Sequence, residues 1–141
     1  MKTRIAVVFF AMALFALAGH GANGFTGSWD TTWQSLDYPG VWVPVANAPK
    51  VTLEVYPEQD HHEYLDGTWA YADAKGIKHV GVMHGRVTGG VWQGVWWAGS
   101  GKNEHGTFDF NLSGDGKSFS GTYTQAGRIT TKLNAWKGTR L

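Results

Sequence analysis

A five-residue pattern constrains this chain more than any other feature: a large apolar residue, any residue, glycine, any residue, an aromatic or similarly large ring. It occurs four times, as Phe25-Thr26-Gly27-Ser28-Trp29, Leu65-Asp66-Gly67-Thr68-Trp69, Trp92-Gln93-Gly94-Val95-Trp96 and Phe119-Ser120-Gly121-Thr122-Tyr123. In a strand, alternate side chains share a face. Each copy therefore places a large apolar residue, a glycine and a ring on one face, with mostly polar residues on the other. A glycine so flanked leaves a notch for a ring from the next strand, or marks a sharp bend in a curling strand. The pattern predicts a closed sheet with an aromatic interior.

Alternation and turn residues predict eight strands, at about 25–33, 51–56, 63–72, 78–87, 90–97, 105–112, 117–124 and 128–137. The links are rich in Gly, Asp and Asn, with Gly89-Gly90 as a tight connection and Ser113-Gly114-Asp115-Gly116 as a hairpin turn. No stretch sustains a 3.6-residue apolar period with caps, so little helix is expected. Short links between successive strands suit an all-β, single up-and-down antiparallel β-barrel of about eight strands, of lipocalin or avidin type. Closure removes the sheet's exposed edges.

The first residues stand apart from this fold. Met1-Lys2-Thr3-Arg4 is basic, 5–17 is an almost unbroken apolar run, and Ala16-Leu17-Ala18 has the form of a cleavage site. Residues 1–18 read as a secretory signal peptide and 19–141 as one barrel domain. Lys2 and Arg4 leave with the leader, so Lys+Arg falls from 12 to 10 against 11 Asp+Glu, a formal charge of −1. With no basic run, nucleic acid is not an expected partner. After the leader no apolar segment is long enough for a helical membrane span. The chain has no cysteine, so packing and sheet closure must replace disulfides in the secreted or periplasmic setting the leader implies.

The motif series Gly27-Ser28-Trp29-Asp30-Thr31, Gly67-Thr68-Trp69, Gly94-Val95-Trp96, then 106–113, 116–123 and Trp136-Lys137-Gly138-Thr139-Arg140 resembles a widespread bacterial secreted or surface domain. That domain runs GTWdT, GtY, GtW, GxFxFxLSxDGxSFxGxW and WxGTR. The resemblance covers nearly the whole mature chain and implies an all-β fold and export, with no particular activity. The departures are the insert 36–50 and the His-containing stretch 58–64. The start FTGSW and the stretch Leu133-Asn134-Ala135-Trp136-Lys137 are also similar to the first and final strands of avidin-type biotin binders. The residues that hold the biotin head group have no counterpart in register, so this likeness implies architecture alone.

An eight-stranded interior is either filled by side chains or just holds one small ligand. Trp69, Tyr71, Trp92, Trp96, Phe119, Tyr123 and Trp136 are expected on the inner face. Trp69, Tyr71, Trp92, Trp96, Tyr123 and Trp136 are the candidate ligand-binding walls. The insert 36–50, with three prolines, cannot be an ordinary central strand. It reads either as a plug over one end or as a lid bearing Tyr38 and Trp42. Trp33, Trp42 and Trp97 are not accounted for by the inner face and suit stacking on sugar rings or contact with a protein.

His61, His62, His84 and His105 are the candidate metal ligands, although neither His61-His62-Glu63 nor any other spacing is a known metal motif. No carboxylate pair, nucleophile elbow, phosphate loop or dinucleotide fingerprint is readable, so no catalytic residue and no cofactor is assigned. The leading expectation is a non-catalytic barrel that binds a small, largely apolar or aromatic ligand. The alternatives are an extracellular module binding polysaccharide or protein through exposed tryptophans, and a small-barrel enzyme or metal protein using the histidines.

Overall fold

Alternation of ring and polar residues is what the described strands follow. The computed structural model describes residues 22–35, 42–43, 51–73, 75–99, 104–128 and 134–141. The proposed signal peptide, Tyr38 and most of the 36–50 insert lie outside the described residues. Among the described residues the one helical element is a 3₁₀ turn, Ala22–Phe25. Nine strands follow: β1 (Gly27–Gln34), β2 (Trp42–Val43), β3 (Val51–Pro57), β4 (Tyr64–Ala72), β5 (Lys78–Thr88), β6 (Val91–Trp97), β7 (His105–Leu112), β8 (Ser118–Tyr123) and β9 (Asn134–Arg140).

All pairings are antiparallel: β1 pairs with β2, β3 and β9, and from β3 onward each strand pairs with the next. This closes β1 and β3–β9 into the expected eight-stranded up-and-down barrel. Two strands differ from the expectation. The last runs to Arg140, because Thr139 and Arg140 still pair with Asp30 and Trp29. The two-residue β2 was not anticipated. It pairs with Trp33 and Gln34, on the same edge of β1 that β3 leaves at Thr31, so a short piece of the proline-containing insert extends the wall without being a central strand.

The inner face is the repeated pattern made solid. Trp29, Leu53, Leu65, Trp92 and Phe110 are fully buried, with Trp69, Trp96, Phe108, Phe119, Tyr123 and Trp136 close behind. The glycines supply room for these rings. A Cβ at Gly138 would lie 2.7 Å from Phe119 Cζ, and one at Gly67 would lie 3.0 Å from Trp92 Cη2. Gly94 serves a different need: its cross-strand partner is Gly85, and a Cβ there would meet the Gly85 Cα at 2.5 Å. Two backbones approach closely there, as a tightly curved wall requires.

The two barrel ends are unlike. At one, Phe25 plugs the interior with 1 % exposure, its ring 5.8 Å from that of Trp92. Trp29 Nε1–H donates to Phe25 O at 2.8 Å. Arg140 then latches the plug. Its guanidinium donates to Thr26 O (2.6 Å), Gly24 O and Gly116 O (3.0 Å) and lies 4.3 Å over the Trp29 ring. The same end carries the β5–β6 turn, whose Gly89 and Gly90 take φ of 56° and 81°. Two successive positive φ values suit a two-residue hairpin of type I′, and glycine adopts them without strain.

Candidate functional site

At the opposite end, which we call the mouth, the inner face turns almost wholly aromatic. Trp33 from β1, Trp69 and Tyr71 from β4, Trp96 from β6, Tyr123 from β8 and Trp136 from β9 meet there. Trp33 is central: its ring centroid lies 4.9 Å from that of Trp136, 5.3 Å from Tyr71 and 5.6 Å from Trp69. Tyr123 sits 5.5 Å from Trp136 and 6.2 Å from Trp96, both edge-on. Trp33 and Tyr71 are only partly buried, so these two rings form the accessible lip of the cage.

Several polar tips in the cage are held by the barrel itself. Trp96 Nε1–H donates to Thr124 O at 2.9 Å, Trp136 Nε1–H to Thr31 Oγ1, and Tyr123 Oη–H to Gln34 O. Trp69 Nε1 and Asn134 Nδ2 are buried with no hydrogen-bond partner. Beside the lip, His79 stacks on Tyr71 at 4.8 Å and 14°, and His79 Nε2 shares a 2.9 Å hydrogen bond with Asp73 Oδ2. Asp73 Oδ1 also accepts from the Lys75 and Ile77 N–H groups. The His79 hydrogen bond, and after it the Ile77 N–H, hold the Asp73 carboxyl below its ordinary value. Burial, and then the Asp73 charge, push the Tyr71 phenol above its own.

The expected wall residues divide between the two ends. Trp69, Tyr71, Trp96, Tyr123 and Trp136 share the mouth cage. Trp92 also points inward, but at the plugged end, where it packs on Phe25, Phe108 and Phe110; it does not join them. Trp33, read from the sequence as an outward residue, is a correction. Trp29, Thr31 and Trp33 have the same parity, and register pairs Trp33 with inward-facing Trp136. Extending the first glycine–ring pattern by two pairs of residues would have found it. His79 and Asn134 were missed for a related reason: they continue the inner rows of Gly81 and Trp136 beyond the last large residue.

Trp42 lies on the other side of the wall. Its cross-strand partner is Gln34, which has the outward parity of Thr32, and its ring lies 4.5 Å from Lys137 Nζ. It lines no part of the interior. Trp97 faces outward as expected, 41 % exposed, with Val80, Val82, Ala70 and Lys78 along an open groove of about 600 Å³ on the outer wall.

The histidines fall outside the cage, His79 excepted. His61 and His62 are exposed on the turn between β3 and β4. His84 and His105 are not brought together: His84 pairs with Val95, His105 with Trp97, and β6 lies between them. Register instead sets His84 against Asp66. Glu58, Asp66 and His84 each offer one ligand atom, all within 4.8 Å of one another, on the outer face. His84 Nδ1 lies 2.7 Å from Asp66 Oδ1 and 3.8 Å from Glu58 Oε2, and its ring stacks on Tyr64 at 5.3 Å. One imidazole and two carboxylates make a donor set that first-row divalent ions accept, and equally a plain hydrogen-bonded ion pair.

Neither a protein-family model nor a curated protein sequence matches the chain. Solved structures do. The chain is similar to a redesigned β-barrel, b11L5F_LGL, with a TM-score of 0.68 at 15 % identity, over 86 % of this chain and 96 % of that one. It is similar to mFAP1, a redesigned β-barrel bound to DFHBI, with a TM-score of 0.65 at 15 % identity, over 86 % of this chain and all of that one. A de novo designed fluorescence-activating β-barrel matches with a TM-score of 0.57 at 13 % identity, over 85 % of this chain and 96 % of that one. At such identities the likeness is one of fold: this chain is an eight-stranded antiparallel β-barrel with an aromatic-rich interior.

Proposed function

We propose that this protein is a secreted or periplasmic, non-catalytic barrel that binds a small, largely apolar or aromatic ligand at the mouth. The observation that carries the reading is the cage of Trp33, Trp69, Tyr71, Trp96, Tyr123 and Trp136, open at Trp33 and Tyr71. Rings of this size supply a large apolar contact area at low entropic cost, and offset or edge-on partners add about 0.5–1.5 kcal/mol per ring pair. The plugged end supports the same direction of entry, since Phe25 and the Arg140 latch close the other route. The resemblance in fold to mFAP1, which binds DFHBI, is compatible with this use of a barrel interior. Trp33 would be the ring that gives way: it fills the middle of the cage, and a flat ligand stacked between Tyr71 and Trp136 takes up its contacts.

Native mass spectrometry of the protein purified from its own host tests this. A co-purifying small molecule is expected, retained in Trp97→Ala and lost in Tyr71→Ala, which removes one of the two stacking faces. A protein that carries no adduct, and that binds polysaccharide or protein in a manner abolished by Trp97→Ala, would replace the cage with the outer groove.

A further inference from the structure

Among the described residues, the mouth cage leaves two buried side-chain donors unused and no buried side-chain acceptor, and this imbalance speaks to the ligand's chemistry. An unpaired buried N–H costs about 1–3 kcal/mol, and buried polar groups are nearly always paired. Trp96, Tyr123 and Trp136 follow that rule through protein acceptors. Trp69 is 7 % exposed and belongs to the same ring cluster, yet its indole N–H has no partner. Asn134 opens β9 opposite Tyr123, with the inward parity of Trp136, and its amide Nδ2 is also unpartnered.

Among the described residues one further buried indole N–H, that of Trp92, is unpartnered, and its surroundings differ. Trp92 is fully buried at the plugged end and meets the Phe108 ring edge-on at 4.7 Å, a geometry in which an N–H can point at a π face. The edge-on neighbour of Trp69 is Trp136, at 6.5 Å, and its near-parallel neighbour Tyr71 offers a stacking face. Phe25 fills the plugged end against Trp92; the mouth has its lip.

We infer that the ligand of the mouth cage is a flat aromatic compound carrying a neutral carbonyl-type acceptor, which receives hydrogen bonds from Trp69 Nε1–H and Asn134 Nδ2–H. This rests on the ligand-binding reading of the cage and adds the polar half of the recognition. An uncharged acceptor fits better than a carboxylate, because the Asp73 carboxylate stands at the lip beside His79 and Tyr71 and two negative charges there repel. Hydrogen bonds of this kind also discriminate: a site with donors placed for an acceptor rejects the analogue lacking it, since the donors then stay unpaired.

Three naphthalenes of matched size separate the outcomes: 2-acetylnaphthalene, 2-isopropylnaphthalene and 2-naphthoate, titrated into the mature protein with the tryptophan indole N–H resonances as readout. The ketone is expected to bind at least about tenfold more tightly than the hydrocarbon, equivalent to about 1.4 kcal/mol, and more tightly than the carboxylate. On saturation by the ketone the Trp69 Nε1–H resonance should move downfield, a measurement needing no variant. Trp69→Phe, or Asn134→Leu if the first fails to fold, should bring the ketone close to the hydrocarbon. Equal binding of ketone and hydrocarbon overturns the inference and leaves the cage reading standing. Ketone preference unchanged in both variants overturns the assignment of donors. Tightest binding by 2-naphthoate overturns the neutral acceptor. No binding of any of the three at the mouth overturns the cage reading itself.

Discussion

Gly81→Ala is the sharpest perturbation of the wall beneath the cage. Gly81 lies on the inner face of β5 opposite Trp69, and a Cβ there would sit 2.6 Å from Trp69 Nε1, nearer still to Cε2 and Cζ2. Carbon atoms in ordinary contact are about 3.5–4.0 Å apart, so the indole must retreat by about 1 Å or more. It has little room, with Trp33, Tyr71 and Trp136 within 6.5 Å centroid to centroid. Overpacking of this kind costs about 1–3 kcal/mol, against about 0.4–1 kcal/mol gained by restricting the unfolded chain. A net loss of about 1.5 kcal/mol is expected. At about 1.5 kcal/mol/M in urea this lowers the unfolding midpoint by about 1 M. Gly114→Ala, where a Cβ meets nothing within 4 Å, should stay within about 0.5 kcal/mol of the parent. In a Trp69→Leu background, which removes the ring, Gly81→Ala should cost much less, a coupling that a double-mutant cycle reads directly. An unchanged midpoint in Gly81→Ala, or a cost undiminished by Trp69→Leu, would refute the reasoning.

Gly94→Ala should be more severe than Gly81→Ala, since its Cβ meets the Gly85 Cα and the His84 carbonyl carbon and backbone yields less than a ring; equal urea midpoints for the two would contradict this. Arg140→Ala should cost about 2 kcal/mol by removing charge-assisted hydrogen bonds to the plug and the contact over Trp29, and should speed amide exchange in Ala22–Phe25; Arg140→Lys should restore little, having lost the planar fork. Tyr71 should ionise above the ordinary tyrosine value of about 10, as the difference in ultraviolet titration between the parent and Tyr71→Phe would record. Because its folded value is raised, its contribution to stability is full below the unfolded value and is lost as pH rises through the folded one. A Tyr71 titrating at or below about 10 would refute the burial given to it.

Much of the fold was legible because it is written in parity. The four glycine–ring copies place Trp69, Trp96, Phe119 and Tyr123 on the inner face without knowledge of the neighbouring strands. What parity could not supply was height along the barrel. Trp92 and Trp69 share a face, but one lies beneath the Phe25 plug and the other at the mouth, a distinction set by register and shear. Trp33 went unread because Thr31 interrupts the run of large residues, and only the pairing with Trp136 shows why a small hydroxyl belongs there: Thr31 accepts the Trp136 indole hydrogen bond. The Arg140 latch joins residues over a hundred positions apart, and nothing local to either segment announces it. The approach of Glu58 and Asp66 to His84 has the same origin, a register that sets Asp66 against His84.

The central claim, a small aromatic ligand held at the mouth, is tested most directly by the eight tryptophans as reporters of their own positions. With each indole N–H resonance assigned, titration with 2-acetylnaphthalene should shift Trp33, Trp69 and Trp136 strongly and Trp96 less. Trp29 and Trp92 at the plugged end, and Trp42 and Trp97 on the outer wall, should stay in place. Shifts confined to Trp97 or Trp42, or no saturable shift at any of the eight, would contradict it.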